Sequence, residues 1–133
     1  MFRVWSDSFF SIRLDYGRKL VVLARTERGF ASSTDLVQAY ARLAHELRSY
    51  SVATLGVLID ARLAPPVSPT LEIDFIRLNS SLFSPFRCCA VLLQPTGIAQ
   101  GKRICPPGAR VLVTSSLAEA SVHLGLENVL AVA

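Results

Sequence analysis

The sequence lacks the features that mark most membrane, secreted and zinc-binding proteins. No apolar run approaches the ~18 residues that a membrane helix needs, so we expect no membrane span. No continuous apolar segment follows Arg3 at the N-terminus, which argues against a secretory signal. The cysteines number three, and adjacent Cys88 and Cys89 do not have the C-x-x-C spacing of zinc sites. These absences predict free thiols in a reducing cytoplasm, and no metal.

The chain also lacks any concentration of charge. Its 14 basic and 10 acidic residues give a net charge of +4, but no block of five or six bases occurs. We therefore expect no nucleic-acid partner. Hydrophobic residues make up 51% of the chain and charged residues only 18%. This excess favours an apolar surface that is covered by a protein partner or by a second copy of the chain.

Apolar periodicity predicts an α/β domain. By its length the chain, residues 1–133, is one domain, with its core at about 9–125. The pattern predicts eight elements in the order β-β-α-β-α-β-β-α, hence a mixed β-sheet of about five strands with helices packed on it. Residues 1–8 have no clear pattern, and 94–108 are predicted to be mostly loop, with room for a short helical turn at 98–103. The predicted strands lie at 9–14, 20–25, 55–59, 87–93 and 109–114. The helices are predicted to begin at 32–35, 68–69 and 116–119, each with a serine cap, the last of them in a capping box with Glu119. The first helix has an apolar stripe formed by Leu36, Tyr40, Leu43, Leu47 and Tyr50.

The strand at 55–59 ends in an unusual polar segment, Asp60-Ala61-Arg62, before two prolines. The carboxyl end of a central strand is where open α/β sheets usually bind ligands. Asp60 is suited to a ligand hydroxyl, and Arg62 to a carboxylate or phosphate. The alternative is structural: Asp60 and Arg62 brace the following proline-rich loop. The residues themselves leave both interpretations open.

A second candidate is the segment 96–103, which superficially resembles a phosphate-binding loop. It departs from the P-loop order because Arg103 stands where serine or threonine should follow Lys102. Lys102 and Arg103 either belong to an ordinary polar surface loop or form an anion-attracting rim with Arg62. His45 and His123 have no nucleophile or acid at a telling spacing. We therefore expect no catalytic residues, no enzyme activity and no cofactor.

Three local patterns and the order of elements resemble the bacterial STAS/SpoIIAA-like domains. The patterns are the strand that ends in residues 60–65, the segment Phe-Arg-Cys-Cys-Ala-Val-Leu-Leu at 86–93, and the strand at 109–114 with a helix behind it. The resemblance covers about residues 9–125 and implies a small non-enzymatic module, similar to anti-sigma-factor antagonists and to the lipid-binding CRAL-TRIO fold. Phosphorylation-switched antagonists carry an Asp-Ser pair after the central strand. Here Ala61 follows Asp60, so no phosphorylation site is carried over.

Two functions remain as hypotheses. The first is a regulatory protein-interaction module that binds a protein partner or forms a homodimer through a sheet edge or helix face. The second is a small-molecule binding domain, for a lipid or a nucleotide, with a pocket between the helices and the sheet. We expect residues such as Phe75, Leu78 and Phe83 to line that pocket, with Arg62 at its rim.

Overall fold

One mixed sheet of six strands organises the chain. The structure is a computed structural model that describes residues 2–131. The strands and helices are β1 (Phe2–Ser6), β2 (Phe10–Asp15), β3 (Leu20–Arg25), α1 (Ser33–Leu47), β4 (Gly56–Asp60), α2 (Glu72–Phe83), β5 (Cys88–Leu92), α3 (Ile98–Ile104), β6 (Val111–Thr114) and α4 (Leu117–His123). No helix within residues 2–131 is long and apolar enough to cross a membrane.

The spatial order of the strands follows their order in the chain, from β1 to β6. The pairs β1–β2 and β2–β3 are antiparallel, while β3, β4, β5 and β6 run parallel. A helix connects each parallel strand to the next because parallel neighbours need a crossover. Every residue of β4 is buried, as its unbroken apolar run predicts. The carboxyl ends of β3 to β6 therefore lie along one edge of the sheet, which we call the carboxyl edge.

Two apolar layers cover the sheet, one on each face. On the first face, α1, α2 and α3 bury alternate residues such as Val21, Leu23 and Val57. On the second face, α4 and the segment after it bury residues such as Leu20 and Leu58. The alternation follows from the pleat, which points successive side chains to opposite faces. The predicted apolar stripe of α1 is confirmed for Leu36, Tyr40, Leu43 and Leu47, which the helix buries, whereas its fifth member, Tyr50, lies beyond the end of the helix.

The mixed α/β fold predicted from the sequence is confirmed, with two corrections to the elements. The segment 1–8, predicted to have no pattern, contains the edge strand β1 over the described residues Phe2–Ser6, which makes the sheet six-stranded. A register shift between Arg3 and Trp5 interrupts the pairing of β1, and this irregularity obscures the alternation that would reveal a strand. The segment 94–108, predicted to be mostly loop with a short turn at 98–103, contains a full helix of seven residues, α3. Gly97 and Gly101 made this segment resemble a loop.

The helix starts agree with the sequence to different degrees. Ser32 caps α1 as predicted, because its Oγ accepts a hydrogen bond from the Asp35 N–H at 3.2 Å. Ser116 caps α4 in the same way, but the Glu119 carboxylate accepts the Thr114 hydroxyl and not the Ser116 N–H. The predicted cap at Ser68 is wrong. Pro69–Leu71 forms a 3₁₀ turn, and α2 begins only at Glu72, without a side-chain cap.

Candidate ligand-binding site

Asp60 and Arg62 bind each other at the carboxyl edge. The Arg62 guanidinium donates to both carboxylate oxygens of Asp60, with Nε–Oδ1 at 2.9 Å and Nη2–Oδ2 at 2.8 Å. The Arg62 main-chain N–H also donates to Asp60, at 3.3 Å. This bidentate pair raises the pKa of the Arg62 guanidinium, chiefly through the hydrogen bonds to Asp60. The geometry favours the interpretation in which the two residues brace the turn after β4.

Lys102 and Arg103 lie on α3 and are both exposed. Arg103 pairs with Glu72 of α2, with Nε–Oε1 at 3.1 Å. Hydrogen bonds from Arg103 and Gln100 lower the pKa of the Glu72 carboxyl. Asp60 and Arg62 line a groove of about 790 Å³, and neither Lys102 nor Arg103 contributes to its lining. The shared rim of Arg62, Lys102 and Arg103 remains a prediction.

The groove lined by Asp60 and Arg62 belongs to the second face of the sheet. Asp60 pairs in register with Ala24 of β3, and Arg13 of β2 pairs with Val22 of β3. Because residues paired across strands point to the same face, and residues two apart do so too, Asp60 and Arg13 both point to the face that α4 also covers. Glu27, Arg28 and Gln94 also belong to the polar part of the lining. Both signs of charge are present, which gives the groove a mixed electrostatic character.

A separate cavity of about 270 Å³ lies on the first face, between the sheet and the three helices α1, α2 and α3. Its wall is mainly apolar and includes Phe10, Ile59, Phe75, Phe83, Val91 and Ile104. The loop after β4 forms another part of the wall through Pro65, Pro66 and Val67. An apolar cavity with a few polar groups at the carboxyl edge of an α/β sheet is the usual form of a small-molecule site.

A buried hydrogen-bond chain crosses the wall of this cavity. The Tyr40 hydroxyl donates to Asn79 Oδ1 at 2.5 Å, and Asn79 Nδ2 donates to the Ile104 carbonyl at 3.0 Å and contacts Cys105 Sγ at 3.3 Å. Asn79 thereby connects α1 to the end of α3. Burial raises the pKa of the Tyr40 hydroxyl, and burial raises the pKa of the Cys105 thiol to about 12. Both groups are therefore protonated at neutral pH.

Gln100 holds the loop of the cavity wall against α3. Its side-chain amide accepts from the Val67 N–H at 2.9 Å and donates to the Val67 carbonyl at 2.7 Å. Gln100 also donates to Glu72 at 3.2 Å, so one side chain connects the loop, α2 and α3. These hydrogen bonds fix the loop at Val67, which also packs against the apolar core.

Arg25, the last residue of β3, is the one charged side chain of the cavity wall within residues 2–131. Only 8% of Arg25 is exposed. Its Nε donates to the Phe9 carbonyl at 3.2 Å, and its Nη2 donates to the Arg28 carbonyl at 2.8 Å. The guanidinium lies 4.5 Å from the ring centroid of Phe30 and 5.3 Å from that of Phe10. Carbonyl oxygens and the faces of two aromatic rings therefore stabilise the positive charge of Arg25.

The expected pocket exists between the helices and the sheet, but its lining differs in part from the prediction. Phe75 and Phe83 line the cavity, whereas Leu78 packs into the surrounding core and Leu82 takes its place in the lining. Arg62 lines the groove on the second face. Sequence reasoning missed Arg25 because it belongs to no motif. The one available signal was its position, at the end of a strand parallel to the strand that ends at Asp60.

The remaining candidates for chemistry do not converge on the cavity. His45 is exposed on α1, and His123 contacts the Arg110 carbonyl at 3.2 Å. Over residues 2–131, no group of three histidine, cysteine or acidic side chains is arranged to hold a metal ion. The three cysteines are free and buried.

Comparisons with known proteins identify the fold. No protein-family model matches the sequence, and no curated protein matches it. The structure is similar to the crystal structure of an uncharacterized protein from the DUF3478 family, with a SpoIIAA-like fold, from Shewanella loihica PV-4. The TM-score is 0.57 at 15% sequence identity, and the match covers 91% of this chain and 98% of the other. The resemblance inferred from the strand-end patterns is confirmed: the chain has a SpoIIAA-like fold.

Proposed function

We propose that the chain is a non-enzymatic binding module whose cavity holds a small, mainly apolar molecule. The observation that carries the proposal is the cavity of about 270 Å³ at the carboxyl edge, lined by aromatic and aliphatic side chains. One water molecule, which has a single non-hydrogen atom, occupies ~30 Å³ in the liquid, so on this scale the cavity suits a ligand of about nine non-hydrogen atoms. It lies just below the usual range for drug-sized ligands, which favours a small molecule over a nucleotide or a long lipid.

The chemistry of the wall supports binding without catalysis. A general base or nucleophile acts best when its pKa lies near the working pH. The two titratable groups besides Arg25 in the lining are the Tyr40 hydroxyl and the Cys105 thiol, and burial raises the pKa of both well above neutrality. Asn79 and Gln100 are engaged in hydrogen bonds that hold the helices and the loop together.

The test is to fill the cavity from within. Leu82 lines the cavity from α2 and is only half-buried, so Leu82→Trp adds volume with little strain on the core. We expect this variant to lower the affinity for small apolar ligands such as octanol at least tenfold, measured by titration calorimetry. The matched control is Ile73→Trp on the same helix, because Ile73 is 80% exposed and does not line the cavity.

The outcomes are distinct. Loss of binding in Leu82→Trp with retention in Ile73→Trp supports the cavity as the site. Absence of binding in the unmodified chain, together with no co-purified small molecule in native mass spectrometry, contradicts the proposal.

A second candidate is a regulatory protein-interaction module, as in the STAS-like class that the fold suggests. It is favoured by large apolar side chains on the surface: Tyr16, Leu63, Ile73 and Val122 are each more than half exposed. The sheet also ends in β1 and β6; within residues 2–131 no further strand covers either outer edge, and Gly108 pairs with the edge of β6 at Val111 alone. Exposed apolar surface and open sheet edges are both sites of association, including with a second copy of the chain. The buried free thiols suit a cytoplasmic location.

Light scattering across micromolar concentrations tests self-association. A mass that rises toward a dimer, and that Ile73→Glu or Val122→Glu returns to a monomer, supports this candidate. A monomeric mass at every concentration, with no protein captured from the native host, contradicts it.

A further inference from the structure

Arg25 places a buried positive charge in the wall of an otherwise uncharged cavity. Burying a charge is costly unless it is paired, and a buried arginine usually faces a carboxylate or phosphate. Within residues 2–131, no carboxylate lies within 4.0 Å of the Arg25 guanidinium. Its protein partners are two main-chain carbonyls and two aromatic rings. The charge is therefore held in position but not neutralised.

One guanidinium nitrogen remains available. Nε and Nη2 donate to the carbonyls of Phe9 and Arg28, whereas Nη1 has no hydrogen-bond partner within the described residues. No fully buried polar side-chain atom in that part of the chain lacks a partner, so Nη1 must retain some access to open space. Arg25 lines both the cavity and the groove on the second face, and these are the spaces that it can reach.

The cavity is the space that the pleat favours for Arg25. Arg25 pairs with Phe10 in the β2–β3 register, and Phe10 points to the first face with Ile12 and Leu14. The guanidinium lies against Phe10 and Phe30 on that face. The groove, by contrast, is lined by the side chains of the opposite face, such as Arg13 and Asp60.

The surrounding acids do not cancel this charge. Asp7 is the acid that most influences Arg25; burial lowers the pKa of the guanidinium, while Tyr40 and Asp7 raise it. The Asp7 carboxylate already accepts the N–H groups of Phe9 and Phe10 at 2.8 Å and pairs with Arg42 at 3.3 Å. Arginine remains protonated at neutral pH in such surroundings. A ligand anion therefore has an unshared charge to pair with.

We propose that the cavity binds a small apolar molecule that ends in a carboxylate, and that Arg25 binds this carboxylate while the aromatic and aliphatic wall holds the apolar part. The inference rests on the proposed function and adds the chemical class of the ligand. A monoanion is favoured because the cavity offers one positive charge and, within residues 2–131, no second basic side chain. Charge-assisted hydrogen bonds to a carboxylate are about twice as strong as neutral ones.

Titration calorimetry on the full chain tests the class with octanoate, octanol and octyl phosphate, which share one apolar chain and differ in the head. We expect octanoate to bind at least tenfold more tightly than octanol. Arg25→Met removes the charge but keeps an apolar stem, so it should weaken octanoate at least tenfold and change octanol less than about twofold. The matched control is Arg28→Met, because Arg28 lines the groove but not the cavity. It should leave both affinities within about twofold.

The outcomes separate the two proposals. Octanol binding as tightly as octanoate, or octanoate binding unchanged in Arg25→Met, overturns the role of Arg25 but leaves the apolar cavity standing. Tighter binding of octyl phosphate overturns the carboxylate class. An equal loss in Arg28→Met assigns the anion to the groove and overturns the proposal. If neither octanol nor octanoate binds, the proposed function fails as well.

A measurement on the unmodified chain decides the matter if Arg25→Met does not fold. In nuclear magnetic resonance spectra, octanoate should shift the Arg25 Nε–Hε signal, whereas octanol should shift only signals of the apolar wall. Absence of an octanoate-specific shift at Arg25 overturns the proposal.

Discussion

The buried hydrogen-bond chain through Asn79 should be a large contributor to stability. Asn79 is 3% exposed and connects the Tyr40 hydroxyl on α1 to the Ile104 carbonyl at the end of α3. Asn79→Leu keeps the volume but removes the hydrogen-bonding groups. It leaves one hydroxyl and one carbonyl without that partner, and each such buried group costs roughly 1–3 kcal/mol.

The position of these groups in the cavity wall selects the lower part of that range. Tyr40, Asn79 and Ile104 all line the cavity, which is large enough to admit water to the freed groups. We therefore expect Asn79→Leu to lower the free energy of unfolding by about 2–3 kcal/mol. Tyr40→Phe frees only the Asn79 oxygen and should cost about 1–2 kcal/mol. Because both variants break one shared bond, the double variant should cost less than the sum, by about 0.5–1.5 kcal/mol.

Urea denaturation, followed by circular dichroism, measures all three variants. The matched control is Asn128→Leu, since Asn128 is exposed and should change the free energy by less than about 0.5 kcal/mol. A cost for Asn79→Leu no larger than that of the control would refute the assigned role of the chain. Strict additivity of Asn79→Leu and Tyr40→Phe would refute the direct bond between them.

Three further predictions concern other parts of the site. Burial raises the pKa of the Cys105 thiol to about 12, so the folded state holds this proton to a higher pH than the unfolded state does. The stability that Cys105 contributes is therefore complete below the ordinary thiol pKa of about 8.5, and it decreases as the pH rises toward 12. The free energy of unfolding should decrease less steeply with rising pH in Cys105→Ala, by up to about 1.4 kcal/mol per pH unit. Urea titrations from pH 9 to 11 measure this dependence, and the same slope in both proteins would contradict the raised pKa of Cys105. Arg62→Met should lower the free energy of unfolding by about 1–3 kcal/mol, because Asp60 is only 8% exposed and loses the side chain that donates to both of its carboxylate oxygens. An unchanged free energy in thermal unfolding would contradict the bracing role of the pair. A methyl group added at Gly101 would overlap the Leu93 side chain, so Gly101→Ala should displace that side chain or α3. We expect the free energy of unfolding to decrease by about 1–3 kcal/mol. An unchanged free energy in urea denaturation would show that Leu93 moves aside without cost.

The sequence predicted the fold class because the central elements have strong and regular patterns. The fully buried strand β4 and the apolar stripe of α1 are long apolar patterns with clear boundary residues at their ends. The edge strand β1 was missed since its register shift breaks the alternation of inward and outward side chains. The helix α3 was predicted only as a short turn at 98–103 because its glycines favour a loop. Tertiary packing overrides them, since Gly101 lies against Leu93, where a larger residue would not fit without movement.

The candidate site was less predictable, for a geometric reason. Asp60 and Arg62 stand out in the sequence because they follow a long apolar run, and the structure joins them as a pair. Arg25 gives no such contrast, since it ends an ordinary strand and is followed by a polar turn. Its burial depends on aromatic residues from β2 and from the segment before α1, which only the folded chain brings together.

The pleat of the sheet explains why the two strand ends carry different chemistry. In the parallel register of β3 and β4, Asp60 lies opposite Ala24, so Arg25 is one residue further along and points to the other face. That single offset brings Arg25 into the wall of the cavity and leaves Asp60 in the groove alone, although both residues end neighbouring strands and both line the groove. No ion pair joins Asp60 to Arg25 within residues 2–131. Asp60 takes its counter-charge from Arg62 on its own strand end, which leaves Arg25 as the charge that a ligand in the cavity can meet.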